Sequence, residues 1–418
     1  MEFDMTAIAS RIPVMSGDGH SGLPTAEYRG YLEKRLHADF DRYLTKHAWR
    51  WSPLRAESYL PSDFNDKFIG TAGFDPARGS SIAWDPKLRV SEMNLAGIVC
   101  DVLFPDDQNT NDPPFGAGLA HAVEGMIGTE GYPPSLVRAG ARAYNRWLAE
   151  FCSVDPKRLL GLTLLGTLDD PNWCVEEIER AYDDGLRTGV VLPLEYYLPL
   201  YHHRRYDILW ERCADLGLTV CVHPGRGAPT YNGDNEYEER SIFLMEVGWY
   251  AHRPLWSFII GGVFDRFPRL NLAFAELGIS WITPILDRIE KGELNSSPAG
   301  RRAAGLDSAH EYWNRHCYAV HSSYQVAEDF VNPGISNVLW GGDISHGEGA
   351  WPTAGEGLSG VPLKRAECLR RLLAGLPEEQ AHRVLCGVFE KAFANVDMAC
   401  LADVTESVGL SREELQLA

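Results

Sequence analysis

The sequence predicts an α/β fold, a (β/α)8 TIM barrel, from two observations: short apolar strands alternate with helical segments, and several strands end in residues that can bind a metal. Helical connections between parallel strands are what such a barrel requires, and its reactive groups lie at the C-terminal ends of the strands. The 418 residues suffice for one barrel with large insertions. We therefore predict a single barrel domain over residues 1–418.

Eight stretches have the length and apolar composition of buried strands. In chain order they are Ile12–Ser16, Gly97–Phe104, Leu159–Leu165, Thr188–Pro193, Leu218–Val222, Leu270–Ala275, His316–Val320 and Val338–Trp340. Helical spacing of apolar residues predicts helices between them, at Pro133–Cys152, Asp170–Asp184, Tyr206–Leu216 and from about Ser241 to Phe267.

Two segments lie outside this alternation of strands and helices. Residues 21–93 are rich in Tyr, Trp, Arg and Asp, and we interpret them as an insertion with a lid as one use. Residues 362–418 are interpreted as a C-terminal helical extension, with two helices within Leu363–Asn395 that pack on the outside of the barrel.

Composition limits the location and the partners of the chain. A net charge of −19 argues against nucleic acid and anionic membranes, because both attract a basic surface. The first ten residues lack the pattern of a signal peptide, so we expect a cytoplasmic protein. Nine cysteines without a C-x-x-C pair indicate reduced thiols, and Cys100, Cys221 and Cys317 are expected in the core.

Ionisable side chains follow five of the predicted strands at the point where each strand ends. They are Asp18 and His20, His223, Glu276, His321 and Asp343. Each alone is equally typical of a turn or a helix cap, as in an Asp18-Gly19 turn with an incidental histidine. Together, imidazoles and carboxylates that converge from several strands are typical ligands of Zn²⁺, Mn²⁺ or Fe²⁺, and the lack of cysteine favours a catalytic over a structural site.

Four motifs carry a resemblance to a known family. They are D-x-H at Asp18 and His20, V-H-P-G around His223, A-E-L-G-I-S-W over Ala275–Trp281, and L-W-G-G-D-I-S-H…W-P over Leu339–Pro352. This pattern resembles the amidohydrolase-related family, which includes enzymes similar to aminocarboxymuconate semialdehyde decarboxylase and resorcylate or dihydroxybenzoate decarboxylase. The resemblance implies a (β/α)8 barrel, one divalent metal ion, and nonoxidative decarboxylation or hydrolysis.

The resemblance also implies a ligand set. His20, His223 and Asp343 fall where that family has metal ligands, and Asp18 falls where relatives have His or Glu. We therefore expect one divalent ion, with Zn²⁺ favoured over Mn²⁺ and Fe²⁺, held by these three residues with Asp18 assisting. The family further implies a homodimer or a larger homo-oligomer.

One position departs from the family pattern. Glu276 stands where the decarboxylases usually carry a histidine, so His321 or His346 is a candidate for the missing acid or base. Glu276 is alternatively a ligand itself, which makes the site more anionic. Arg226, three residues after His223, is a candidate for two-point binding of a substrate carboxylate, and a surface ion pair is the alternative.

Three functions remain open from the sequence. The first is metal-dependent nonoxidative decarboxylation of a small aromatic or unsaturated carboxylic acid, with Asp343 as the acid that protonates the carbon losing CO2. The second is hydrolysis of an amide, lactone or C–C bond by metal-activated water, with Asp343 as general base. The third is a noncatalytic binding barrel, since fold alone does not imply function.

Overall fold

A sheet of eight parallel strands forms the centre of the protein. The computed structural model describes residues 11–47, 74–75, 79–105, 111–119, 131–195, 198–225, 236–291, 308–322, 335–346 and 366–417. In chain order the strands are β1 Val14–Ser21, β2 Ile98–Pro105, β3 Leu159–Leu164, β4 Gly189–Val191, β5 Thr219–Val222, β6 Leu272–Ala275, β7 Cys317–Ser322 and β8 Val338–Gly341. Each strand pairs with the next along the chain, as a (β/α)8 barrel requires.

The last strand returns to the first through the residues that follow it. Gly19 of β1 forms a parallel bridge with Ile344. The amide of Asp343 donates to the carbonyl of Asp18 (2.7 Å), and the amide of His20 donates to the carbonyl of Ile344 (2.8 Å). These bonds close the barrel at its C-terminal end, so the predicted fold class and all eight predicted strands are confirmed.

Helices surround the strands. They are α1 His37–Lys46, α2 Ser81–Trp84, α3 Pro86–Ala96, α4 Pro134–Cys152, α5 Pro171–Asp183, α6 Asp207–Leu216, α7 Glu236–Gly261, α8 Val263–Arg266, α9 Ile282–Glu290, α10 Ala309–His316, α11 Glu367–Leu373, α12 Glu378–His382, α13 Phe389–Ala392, α14 Ala402–Val408 and α15 Arg412–Leu415. A π-helical turn at Arg383–Gly387 links α12 to α13, and Phe74–Asp75 pairs with Gly79–Ser80 in a separate antiparallel ribbon. None of the helices in the described ranges is long and apolar enough to span a bilayer.

Local sequence signals set the ends of several helices. The Asp170 side chain accepts hydrogen bonds from the amides of Asn172 and Trp173, and Pro171 occupies the first helical position of α5. Gly217, at φ 67°, ends α6 in a left-handed conformation that glycine adopts without strain. The predicted helix at Ser241–Phe267 is two helices, because Gly262 at φ 70° separates α7 from α8.

The C-terminal segment packs at the N-terminal end of the barrel. Ile12 and Leu410 exchange two backbone hydrogen bonds just before β1, and the Thr219 hydroxyl at the start of β5 donates to the carbonyl of Ala392. Asn395 donates to the carbonyl of Leu216 at the end of α6 (2.8 Å). The segment has more helices than the two predicted for Leu363–Asn395, because Pro377 and the π-helical turn divide it.

A buried ion pair joins α3 to β1 and β2. Arg89 and Asp101 are both fully buried, and Arg89 donates from Nη2 to Asp101 Oδ2 at 2.6 Å. Arg89 Nη1 also donates to the carbonyl of His20 at 2.8 Å. Gly19 lies beneath this pair, and a Cβ there would be 2.5 Å from Arg89 Nη2, so a larger residue would displace the ion pair. The pair therefore fixes the backbone of β1 near its C-terminal end.

Removal of Arg89 tests how strongly this pair stabilises the fold. Arg89→Ala leaves the Asp101 carboxylate buried without its cation, so we expect the free energy of unfolding to fall by about 3–5 kcal/mol. Arg269→Ala is the control, because Arg269 pairs with Asp215 at 2.6 Å where both side chains are at least half exposed, and it should cost no more than about 1 kcal/mol. Urea denaturation of both variants measures the difference, and equal losses would contradict the assignment.

Candidate metal centre

Strand β1 carries two of the candidate ligands on an irregular section. The pairing of β1 with β2 shifts between Ser16 and Gly19, so an extra residue lies opposite β2. The Ser16 hydroxyl supports this bulge by donating to the carbonyl of Asp18 at 2.7 Å. Asp18 and His20 thus lie inside β1, beyond the predicted end of that strand at Ser16, and both are fully buried. The alternative of an Asp-Gly turn is wrong.

Two further carboxylates lie within two residues of a strand end and have unusual backbone angles. Glu276 follows β6 with φ 54°, and Asp343 follows β8 with φ 50°. Non-glycine residues rarely adopt this left-handed conformation, and such strain tends to occur at functional sites. The conformation turns each chain sharply at the end of its strand.

The side chains at these strand ends converge. His20 Nε2 lies 3.4 Å from Asp343 Oδ1 and 3.8 Å from Asp18 Oδ1. His223 Nε2 lies 3.2 Å from Glu276 Oε2 and 4.0 Å from Asp18 Oδ1. Asp18, His20, His223 and Glu276 offer ligand atoms that all lie within 4.8 Å of one another, and so do His20, Glu276, Asp343 and His346. The two groups share His20 and Glu276 and therefore form one centre.

The orientation of two imidazoles is set by backbone carbonyls. His20 Nδ1 lies 2.9 Å from the carbonyl oxygen of Pro105, and His223 Nδ1 lies 2.8 Å from that of Pro224. A carbonyl only accepts, so Nδ1 is the protonated nitrogen in each ring. The lone pair of each Nε2 then faces the carboxylates, which is the arrangement of a metal-ligating histidine.

Burial perturbs the ionisation of these groups. Burial, followed by the charge of Glu276, raises the pKa of Asp18 well above its usual range. Burial also lowers the pKa of His20, as do the neighbouring imidazoles of His346 and His223. Burial alone would raise the pKa of Glu276, but its contact with the imidazole of His223 outweighs burial and the pKa is lowered. Burial thus disfavours the charged forms of Asp18 and His20, whereas Glu276 keeps its charge beside His223.

The donor set fits a divalent metal ion. Both Asp18 oxygens and His20 Nε2 are buried and have no hydrogen-bond partner in the described part of the chain. Such atoms cost free energy unless a partner satisfies them, and an ion with nitrogen and oxygen ligands would satisfy all three. Mixed imidazole and carboxylate donors suit Zn²⁺, Mn²⁺ and Fe²⁺.

The other candidate residues differ in position. His346 stacks on His20 with ring centroids 3.7 Å apart, and its Nδ1 lies 3.0 Å from Asp343 Oδ1, so it belongs to the centre. His321 is buried in β7, and neither of the two ligand groups formed by the described residues includes it. Arg226 lies outside the described residues, and its role in substrate binding stays a prediction.

Three residues next to the centre are absent from the sequence prediction. Arg89 and Asp101 form the ion pair under β1, and Phe104 contacts the rings of His223 and His20, with centroids 5.0 and 6.1 Å apart. Asp101 had a signal, because an acid inside the apolar run G-I-V-C-D-V-L-F needs a buried partner. The sequence did not indicate Arg89 as a residue of the site, because it lies within residues 21–93, which we interpreted as an insertion.

Comparison with known proteins supports the motif-based resemblance. Residues 101–387, more than half of the chain, match the family model described as amidohydrolase. A stretch of 222 residues is 27% identical to 2-amino-3-carboxymuconate-6-semialdehyde decarboxylase of Dictyostelium discoideum, covering 52% of this chain and 54% of that protein. A stretch of 132 residues is 26% identical to decarboxylase orsB of Emericella nidulans, covering 30% of this chain and 39% of that protein. The chain thus matches about half or less of these relatives' length.

The fold is similar to solved decarboxylase structures. One is a dihydroxybenzoic acid decarboxylase from Polaromonas sp. JS666, solved with bound manganese and the inhibitor 2-nitroresorcinol. The TM-score is 0.58 at 13% sequence identity, and the likeness covers 93% of this chain and 98% of that chain. At this identity the likeness establishes the barrel alone.

Metal analysis tests the centre. We expect close to one equivalent of a divalent metal per chain in protein purified without a histidine tag, because the three unsatisfied buried atoms of Asp18 and His20 favour a bound cation. His223→Ala should lose most of it. The control is His310→Ala, since His310 binds Asp287 at the protein surface (3.1 Å) and should retain the metal. Wild-type protein that neither contains metal nor takes it up on dialysis would disprove the assignment.

Proposed function

Because the chain belongs to the amidohydrolase family, we propose that it is a metal-dependent enzyme that removes CO2 from a small aromatic or unsaturated carboxylic acid. The observation that carries the proposal is the buried centre of carboxylates and imidazoles at the C-terminal ends of β1, β5, β6 and β8. The likeness to curated decarboxylases favours decarboxylation over the other reactions of the family.

The ligands in this proposal are His20, His223 and Asp343, with Asp18 assisting. A divalent ion held there would supply positive charge for the substrate carboxylate and a neighbouring oxygen. Zn²⁺ is the ion that the sequence favours, and the manganese in the Polaromonas structure makes Mn²⁺ an equal candidate. Glu276 is the further carboxylate in reach, through its 3.2 Å contact with His223 Nε2.

Proton transfer in this proposal is assigned to Asp343 and His346. Loss of CO2 breaks the bond between the ring carbon and the carboxylate carbon, and the ring carbon must gain one proton in exchange. Asp343 delivers that proton, and His346, 3.0 Å from Asp343 Oδ1, can supply the next one. Both side chains are buried, which keeps competing water away from the proton.

Hydrolysis by metal-activated water is the second candidate function, and Asp343 would then accept a proton as general base. The position of Glu276 favours it, because the decarboxylases resembled here usually carry an imidazole at that place. A small carboxylate substrate, a homo-oligomeric state and a cytoplasmic location belong to the proposal as predictions from sequence.

Product analysis separates the two reactions. The metal-loaded protein should release CO2 from at least one member of a panel of hydroxylated benzoates and unsaturated carboxylic acids, with one CO2 for each substrate consumed. Amides and lactones of the same acids serve as the comparison. If the protein converts the amides or lactones and releases no CO2 from any acid of the panel, its reaction is hydrolysis and the proposal of decarboxylation is wrong.

The variant Asp343→Asn tests whether Asp343 transfers a proton, because asparagine keeps the shape of the side chain and lacks the carboxyl group. In Asp343→Asn the left-handed backbone at φ 50° is tolerated, because asparagine adopts it more readily than most residues. We expect turnover to fall by about 10²-fold or more, the scale typical of a lost general acid or base. Glu276→Gln should cost less if Glu276 only orients His223. Both variants are compared at equal measured metal content, and near-wild-type turnover of Asp343→Asn would exclude Asp343 from proton transfer.

A further inference from the structure

A cavity lies on the outer surface of the barrel, away from the metal centre. Its volume is about 260 Å³, and it lies between the segment Tyr31–Leu36 and the helices α4 and α5. None of the candidate metal ligands lines it. The wall Tyr31–Leu36 precedes residues 101–387, which match the family model, whereas α4 and α5 lie within them. The cavity therefore lies between a part of the chain that matches the family and a part that does not.

Four arginines line this cavity, which we name the arginine pocket: Arg35, Arg138, Arg142 and Arg146. Glu33 is the single carboxylate among the lining residues. Arg35 pairs with Glu33 inside the lining, and Arg138 and Arg142 pair with acids outside it, so the guanidinium of Arg146 is the one of the four without a carboxylate partner among the described residues. Three of the arginines recur every fourth residue along α4, a spacing that places them on one face of that helix. A bound anion would compensate the charge of Arg146.

The guanidinium groups of Arg146 and Arg35 each use one N–H donor in a hydrogen bond within the described part of the chain. Arg146 donates from Nη1 to the carbonyl of Tyr31 at 3.1 Å, and no carboxylate of the described residues lies within 4.0 Å of its guanidinium. Arg35 donates from Nε to Glu33 at 2.6 Å. Each guanidinium has five N–H donors, so most donors of both arginines have no partner in the described part of the chain.

Arg138 and Arg142 are held in place by acids outside the pocket lining. Arg138 donates from Nη1 to Asp169 Oδ2 at 2.8 Å, and Arg142 donates from Nε to the buried Glu177 at 2.6 Å. Both guanidiniums also lie over the ring of Trp173, at 5.7 and 5.3 Å from its centroid. These contacts orient the two cations and use one nitrogen of each, which is how a preorganised anion site is built.

We propose that the arginine pocket binds a phosphate monoester of a small organic molecule. A phosphoryl group carries close to two negative charges and three acceptor oxygens, so it can accept bonds from several guanidiniums at once, whereas a carboxylate has one charge and two oxygens. Leu32, Leu36 and Ala139 add an apolar wall that inorganic phosphate would leave uncovered. The volume limits the organic part to a small group such as a single ring.

Isothermal titration calorimetry with phenyl phosphate as the probe tests this proposal. Inorganic phosphate and benzoate are the comparison ligands. Inorganic phosphate lacks the organic group, and benzoate lacks the phosphoryl group. We expect phenyl phosphate to bind at least about tenfold more tightly than either, and Arg146→Gln to weaken it by about tenfold or more, as loss of charge-assisted bonds predicts. Arg35→Gln, at an exposed position, is a second variant that does not disturb the core.

Two controls make the result decisive. Arg212→Gln removes an arginine that pairs with Glu179 at 2.9 Å outside the pocket and should leave the affinity unchanged. His223→Ala should also leave it unchanged, because it alters only the metal centre. Binding that survives both Arg146→Gln and Arg35→Gln, or that disappears in His223→Ala, would overturn the proposal. So would equal affinity for phenyl phosphate and for either comparison ligand.

Discussion

The burial of negative charge at one end of the barrel is the constraint on which the candidate site depends. Asp18 and Asp343 are fully buried and Glu276 is 18% exposed, within reach of the same imidazoles. Carboxylates this close cannot all stay ionised in a medium of low dielectric constant unless protons or a cation compensate them. Burial and the charge of Glu276 raise the pKa of Asp18, and burial lowers the pKa of His20, so both residues are shifted towards their uncharged forms.

The strands provide the rigid frame that keeps these charges together. The amide of Asp343 donates to the carbonyl of Asp18 at 2.7 Å, so the backbones of the two acidic residues are joined directly. The neighbouring Gly342 amide donates to the Ser16 hydroxyl, which supports the bulge in β1 (2.9 Å). Closure of the barrel and assembly of the site are therefore one set of interactions, and loss of one would disturb the other.

The sequence predicted the fold well because each strand is a short apolar run bounded by glycine, proline or an ionisable residue. It predicted most of the site for the same reason, since a strand end is visible in sequence and the C-terminal ends of parallel strands meet. The sequence did not predict that β1 continues beyond Ser16 to Ser21, because Gly17 and Gly19 are typical of a turn. The close packing of Gly19 on Arg89 and Asp101, and of Gly17 on Leu339, explains why glycine is needed inside that strand.

The hydrogen bond from Arg89 to the carbonyl of His20 holds together the two ends of the segment that connects β1 to α3. The chain leaves the barrel at Ser21 and returns through α3 to the same place, because α3 carries Arg89. With both ends fixed, doubling the number of residues between them adds only about 0.6 kcal/mol of closure entropy. This connection can therefore lengthen or shorten over evolution without moving His20 or the other residues of the candidate metal centre.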